Sequence, residues 1–165
     1  MEAARVAVGP SQCGAQQGDY AGKAKVTLNV FVDSSALAKR YIEEKGSDQV
    51  QAILSSASAL AVSAICVPEI VSALCHRRRE RKVSTQEYRN AKASVLSDMD
   101  DATVIGITDE VVARAVALLE HFPLRSADAL HVACAAEWST DLFVSADDRQ
   151  CRAARSHGLK VEAII

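Results

Sequence analysis

Four carboxylates stand where short apolar runs end or apolar helices open. Asp33 directly follows the run 28–32, and Asp147 follows the run 142–145. Glu69 is hemmed by Val67, Pro68, Ile70 and Val71, and Asp128 by Ala127, Ala129, Leu130 and Val132. Each alone has an ordinary use. Asp33 and Asp147 suit helix N-caps, and Glu69 and Asp128 suit first-turn positions that complement the helix dipole. As a set they suggest other chemistry. Carboxylates among apolar neighbours are costly unless paired, hydrogen-bonded or bound to metal, and clustered ones repel. A hard divalent cation, Mg²⁺ or Mn²⁺, relieves that repulsion and takes oxygen ligands. Such an ion polarises a phosphodiester, lowers the pKa of water and neutralises a leaving oxygen. Ser35 and Ser145 stand beside the first and last acids, where a hydroxyl suits either orientation of a ligand or a local turn bond. Asp148 adjoins Asp147, and either residue suits ligation.

Gathering acids so far apart in sequence demands a particular fold. The apolar runs 28–32, 60–63, 103–107, 142–145 and 159–163 predict five buried strands. Helical segments are expected between them: 36–43, 49–56, one from about 67 into the charged run 76–82, one capped by Ser84 to about 99, one capped by Thr108 to 120, 126–137 and 147–157. Strands that alternate with helices and are apolar on both sides predict an α/β fold: a five-stranded parallel sheet in a three-layer α/β/α arrangement, with helices on both faces. Ligands bind such sheets beyond the carboxyl ends of the strands, where the acids fall.

Composition narrows the partners. The 165 residues suit one domain, and a net charge of −2 provides no global field for a polyanion. Contact with nucleic acid would need local cations. Arg77, Arg78 and Arg81 in the run 76–82 are candidates, as is Arg125 just before the Asp128 segment; a solvated helix end and a structural salt bridge are the plain alternatives. Aromatics are 4 % of the chain, too few for a base-stacking platform to dominate recognition. The five cysteines include no C-x-x-C pair, and no further ligand joins His131 and Cys134 in a zinc set. A reducing cytoplasm is the expected setting. No apolar run reaches membrane-spanning length. Residues 1–25, broken by Gly9, Pro10, Gly14, Gly18 and Gly22, suggest a flexible N-terminal extension ahead of a folded unit at 26–165.

The segments Val30-Phe31-Val32-Asp33-Ser34-Ser35-Ala36-Leu37, Val67-Pro68-Glu69-Ile70-Val71-Ser72-Ala73-Leu74, Leu124-Arg125-Ser126-Ala127-Asp128-Ala129-Leu130-His131-Val132-Ala133 and Leu142-Phe143-Val144-Ser145-Ala146-Asp147 occur in that order. In them the chain resembles the PIN-domain family, in particular the VapC toxins of toxin–antitoxin pairs. The resemblance implies a PIN-like α/β/α domain and an acidic Mg²⁺ or Mn²⁺ site built from Asp33, Glu69, Asp128 and Asp147. Ser145 takes the family's hydroxyl position. It also implies endoribonuclease activity on RNA, inhibition by a cognate antitoxin, and a homodimer. An RNA-processing or binding role without toxicity shares these residues. A receiver-like signalling domain fits less well, since no lysine follows the fourth strand. A D-x-D phosphatase would need an aspartate where Ser35 stands.

Overall fold

A computed structural model describes residues 27–165, so the extension expected at 1–25 lies outside the described residues. The five strands are β1 (Asn29–Val32), β2 (Ala59–Ser63), β3 (Thr103–Ile105), β4 (Leu142–Ser145) and β5 (Val161–Ala163). They form one sheet in the order β3-β2-β1-β4-β5, every pairing parallel. The helices are α1 (Ser34–Leu37), α2 (Ser47–Ser56), α3 (Cys66–Arg79), α4 (Thr85–Asp98), α5 (Asp109–His121), α6 (Ser126–Glu137) and α7 (Asp148–Ser156).

Alternation along each strand divides the core in two. Val30, Val32, Val62 and Val144 face one side and pack with Leu37, Val50, Ile70, Leu74 and Val95 from α1 to α4. Phe31, Ala61 and Phe143 face the other and pack with Val111, Leu118, Val132 and Ala154 from α5 to α7. The Phe31 and Phe143 rings stack there with centroids 6.0 Å apart. Both faces of the sheet are therefore covered, the arrangement that apolar parallel strands require.

The order 3-2-1-4-5 has one switch point, between β1 and β4. The chain leaves β1 toward β2 and β3 on one side and returns to build β4 and β5 on the other. The crevice at a switch point is where open α/β sheets bind ligands. Asp33 and Asp147 follow the two strands that flank it.

Some boundaries differ from expectation. The helix expected at 36–43 starts at Ser34 and gives way to a 3₁₀ turn at Ala38–Arg40. The turn carries Tyr41 and Ile42 into the core, each 2 % exposed, and the Tyr41 hydroxyl donates to Asp98 Oδ2 at 2.8 Å. The helix that enters the charged run ends at Arg79, and Arg81 takes φ 58° in the turn beyond it. The third strand stops at Ile105, at the sheet edge. The four described cysteines, Cys66, Cys75, Cys134 and Cys151, are all free. Among the described residues no helix is long and apolar enough to cross a membrane.

Gly46 caps α2 with φ 92°, and a Cβ there would lie 2.5 Å from Ile164 Cγ2, a core atom. Both the backbone conformation and the space require glycine. Gly46→Ala is expected to cost roughly 1–3 kcal/mol. A thermal melt of the variant should show a drop of several degrees.

Candidate functional site

Asp33 sits at the carboxyl end of β1, the central strand, and is fully buried. Its backbone N–H extends the ladder to Val144 O at 3.0 Å, and its side chain caps α1 by accepting from Ala36 N at 2.9 Å. The cap role anticipated for this residue is real, but it uses a fraction of the side chain's capacity. Oδ1 and Oδ2 also accept from Ser35 Oγ at 2.9 and 2.7 Å. Oδ2 accepts further from Ser145 Oγ at 3.0 Å and Gln150 Nε2 at 2.9 Å. All these donors are neutral. Burial pushes the Asp33 carboxyl above its ordinary value, against the opposing pull of His131 and of the bonds from Ala36, Ser35 and Ser145.

Gln150 ties in a second acid, its Nε2 reaching Asp128 Oδ1 at 3.4 Å. Two carboxylate acceptors fix which end of the amide carries the N–H groups. Gln150 Oε1 is then buried with no partner among the described residues. Asp128 lies in the first turn of α6, and its Oδ2 accepts from Arg125 N at 3.1 Å.

Glu69, in the first turn of α3, turns toward α6. Its Oε2 accepts from Ser34 Oγ at 2.7 Å and from His131 Nε2 at 2.6 Å. A carboxylate only accepts, so Nε2 carries the histidine proton. Burial opposes Glu69 ionisation, but the bonds from His131 and Ser34 outweigh it and hold the carboxyl below its usual range. The Cys66 thiol is pushed up by burial and next by the negative charge of both Asp33 and Glu69.

Asp147 caps α7, its Oδ1 accepting from Arg149 N at 2.7 Å and Gln150 N at 3.3 Å. Its backbone N–H donates to Ser145 Oγ, the hydroxyl that donates on to Asp33. Arg149 Nη2 binds Asp147 Oδ2 at 3.0 Å. Burial opposes ionisation here too, yet Arg149 and the two N–H groups hold the Asp147 carboxyl below the ordinary range.

Asp33, Glu69, Asp128 and Asp147 thus share one neighbourhood at the switch point, linked through Ser34, Ser145, His131 and Gln150. Among the described residues no three His, Cys, Asp or Glu side chains group as a ready ligand set. Like charges repel at short range, and each carboxylate here is turned to a protein donor. Asp148 is set apart, its side chain 75 % exposed and paired with Arg152 at 3.1 Å. Arg125 is exposed at the mouth of α6. In the charged run Arg77 is tied to Glu44 at 2.7 Å, Arg78 lies 4.6 Å over the Tyr88 ring, and Arg81 is exposed in the turn.

Ser34, His131, Arg149 and Gln150 were not among the residues expected at the site. One signal for His131 and Gln150 was in the sequence: each stands three residues after an acid, Asp128 and Asp147, and so shares its helix face.

The oxygen donors suit a hard divalent ion: four carboxylates supported by two hydroxyls, with no soft ligand among them. Asp33, buried and offset by no direct cation partner, and the unpartnered Gln150 oxygen mark where positive charge is wanted.

A family model described as the PIN domain matches residues 30–156. Ribonuclease VapC46 of Mycobacterium tuberculosis (strain ATCC 25618 / H37Rv) is 29 % identical over 136 residues, 81 % of this chain and 96 % of that protein. The structure is similar to that of M. tuberculosis VapC20, titled a sarcin–ricin loop cleaving toxin, with a TM-score of 0.56 at 19 % identity, covering 75 % of this chain and 94 % of the other. It is also similar to M. tuberculosis VapBC-5, titled a member of the VapBC family of toxin–antitoxin systems, with a TM-score of 0.55 at 17 % identity, covering 82 % and 97 %. At these identities the two structural likenesses speak to the fold.

Proposed function

Since the chain belongs to the PIN-domain family, we propose that it is a Mg²⁺- or Mn²⁺-dependent endoribonuclease and the toxin of a toxin–antitoxin pair. The observation that carries this reading is Asp33: a fully buried carboxylate at the switch point, hydrogen-bonded only by neutral donors and joined through Gln150 to Asp128. The likeness to a protein named a ribonuclease supports the activity.

Asp33, Glu69, Asp128 and Asp147 would hold the ion. Bound there, it supplies a Lewis acid and an activated water for phosphodiester hydrolysis. The chain's own groups prepare the site. Ser35 and Ser145 lock the Asp33 carboxylate in one orientation, as ligand-supporting hydroxyls do elsewhere. Gln150 keeps Asp128 within reach of Asp33. His131 and Ser34 hold Glu69 ionised, and Arg149 does the same for Asp147 while offering a cation beside the scissile phosphate. RNA is the substrate and a cognate antitoxin the inhibitory partner. A homodimer is supported by Val112, Val116 and Leu119, half-exposed at i, i+4 and i+7 on α5.

The test is RNA decay. Purified full-length chain with total RNA and Mg²⁺ or Mn²⁺ is expected to give discrete fragments on a denaturing gel, and none with excess EDTA. Intact RNA under both conditions, or fragments insensitive to EDTA, would overturn the reading.

A further inference from the structure

Beside the acids lies a groove of about 350 Å³ lined by Phe122, Pro123, Arg149, Arg152, Arg155 and Ser156. No carboxylate lines it. Its three arginines recur every third residue along α7, which spreads them over about 9 Å of helix axis. Arg149 stands in the first turn of α7, where the helix dipole disfavours a cation. Arg152 is 64 % exposed, and its partner Asp148 is 75 % exposed, a pairing that water screens and an anion readily displaces. Arg155 is exposed and makes no ion pair with any described residue.

The groove is continuous with the candidate site. Arg149 contributes to both, bonding to Asp147 and feeling the charge of Asp128. In the run 76–82, Arg77 pairs with Glu44, Arg78 covers Tyr88, and His76 and Lys82 pair with Glu80, while Arg79 and Arg81 are exposed but share no residue with the candidate site. A chain of net charge −2 that handles a polyanion needs a local cationic track, and this groove provides one. Guanidinium groups match phosphate oxygens in bidentate fashion. The half-buried Phe122 ring and Pro123 give an apolar wall for a ribose or base.

We propose that this groove binds the phosphate backbone of single-stranded RNA on one flank of the scissile bond, with Arg152 and Arg155 on successive phosphates and Arg149 on the phosphate nearest the acids. The proposal rests on the nuclease reading above. It is preferred to an acidic peptide because the arginine track runs directly into the carboxylates.

The experiment compares full-length chain with the double variant Arg152→Gln/Arg155→Gln. A fluorescein-labelled 20-nucleotide mixed-sequence RNA is titrated in EDTA at several salt concentrations and read by fluorescence anisotropy. The variant is expected to bind at least about tenfold more weakly at low salt, and its log Kd against log salt slope to fall by about 1.4, the loss of two single-strand phosphate contacts. Its melting temperature should match that of the unmodified chain. Unchanged affinity and slope would overturn the proposal, as would RNA binding that stays intact while binding of a labelled oligo-glutamate is lost, which marks the groove as a peptide site. The two readings fail separately. Arginine-dependent RNA binding by a chain that cleaves nothing in Mn²⁺ sustains the groove and defeats the nuclease, whereas equal cleavage and binding by chain and variant defeat the groove alone.

Discussion

Asp33→Asn is expected to lower RNA cleavage by more than about a hundredfold, beyond the loss that even outer-shell partners of a metal bring, while leaving the domain folded and at least as heat-stable. The activity arm follows from the position of Asp33: it is the one acid that Ser35, Ser145 and Gln150 all serve. The stability arm follows from its burial. A carboxylate raised above its ordinary value is harder to ionise folded than unfolded, so stability contributed by the neutral form is lost as pH climbs from the unfolded value, about 3.9, through the folded one. The asparagine has no such charge. Its amide still caps α1 through its oxygen. Ser35 can keep donating to that oxygen, and the two NH₂ hydrogens can go to Ser145, rotated to accept, and to Gln150, flipped to present its unpartnered oxygen at the loss of its 3.4 Å bond to Asp128. The melting temperature of the variant relative to the unmodified chain should therefore be highest near neutral pH, with the gap closing toward pH 4. Circular-dichroism melts at three pH values, with gel assays of cleavage, check both arms. Cleavage within a fewfold of the unmodified chain would remove Asp33 from the chemistry, and an unfolded variant would show that the side chain serves the fold instead.

Much of this arrangement is legible in the residues, for reasons that can be stated. Val30-Phe31-Val32 and Leu142-Phe143-Val144 are apolar at every position, which only a sheet covered on both faces satisfies, and the sheet is parallel and covered on both faces. Asp33 follows the first of those strands directly and Asp147 the other after Ala146, so the switch point brings them together. The less legible parts depend on tertiary partners. A stretch that reads as one helix from 36 to 43 breaks into a 3₁₀ turn because Asp98, more than fifty residues on, anchors Arg40 and Tyr41. The direction in which each acid turns is set the same way. Glu69 on α3 meets His131 on α6 although the two helices cover opposite faces of the sheet, a proximity that periodicity does not encode. Asp147 and Asp148 are neighbours of like type, and only the cap geometry separates them: the first bonds to N–H groups of its own helix, and the second goes to solvent.

Saturating Mn²⁺ or Mg²⁺ is expected to raise the melting temperature of the unmodified chain, and to do so far less in Asp33→Asn. A ligand that binds only the folded state stabilises it by about 2.7 kcal/mol at a hundred times its Kd, which for a chain of this size is a shift of roughly 5–11 °C. Two opposing effects shape the result. Binding gives the buried Asp33 the positive charge it lacks, which favours the folded, ion-loaded form. Binding also draws Glu69 from His131 and Asp147 from Arg149, and those pairs already hold both acids below their ordinary range. Affinity is therefore expected to be modest, and the shift to develop over added metal well above protein concentration. Lowering the pH should shrink it, because Asp33, raised by burial, takes up its proton before Glu69 and Asp147 and competes with the ion. Differential scanning fluorimetry across a metal titration at pH 5.5 and pH 7.5 reads all three features. A shift of equal size in Asp33→Asn, or one larger at the lower pH, would place the ion elsewhere on the molecule and leave the carboxylates at the switch point with a structural role alone.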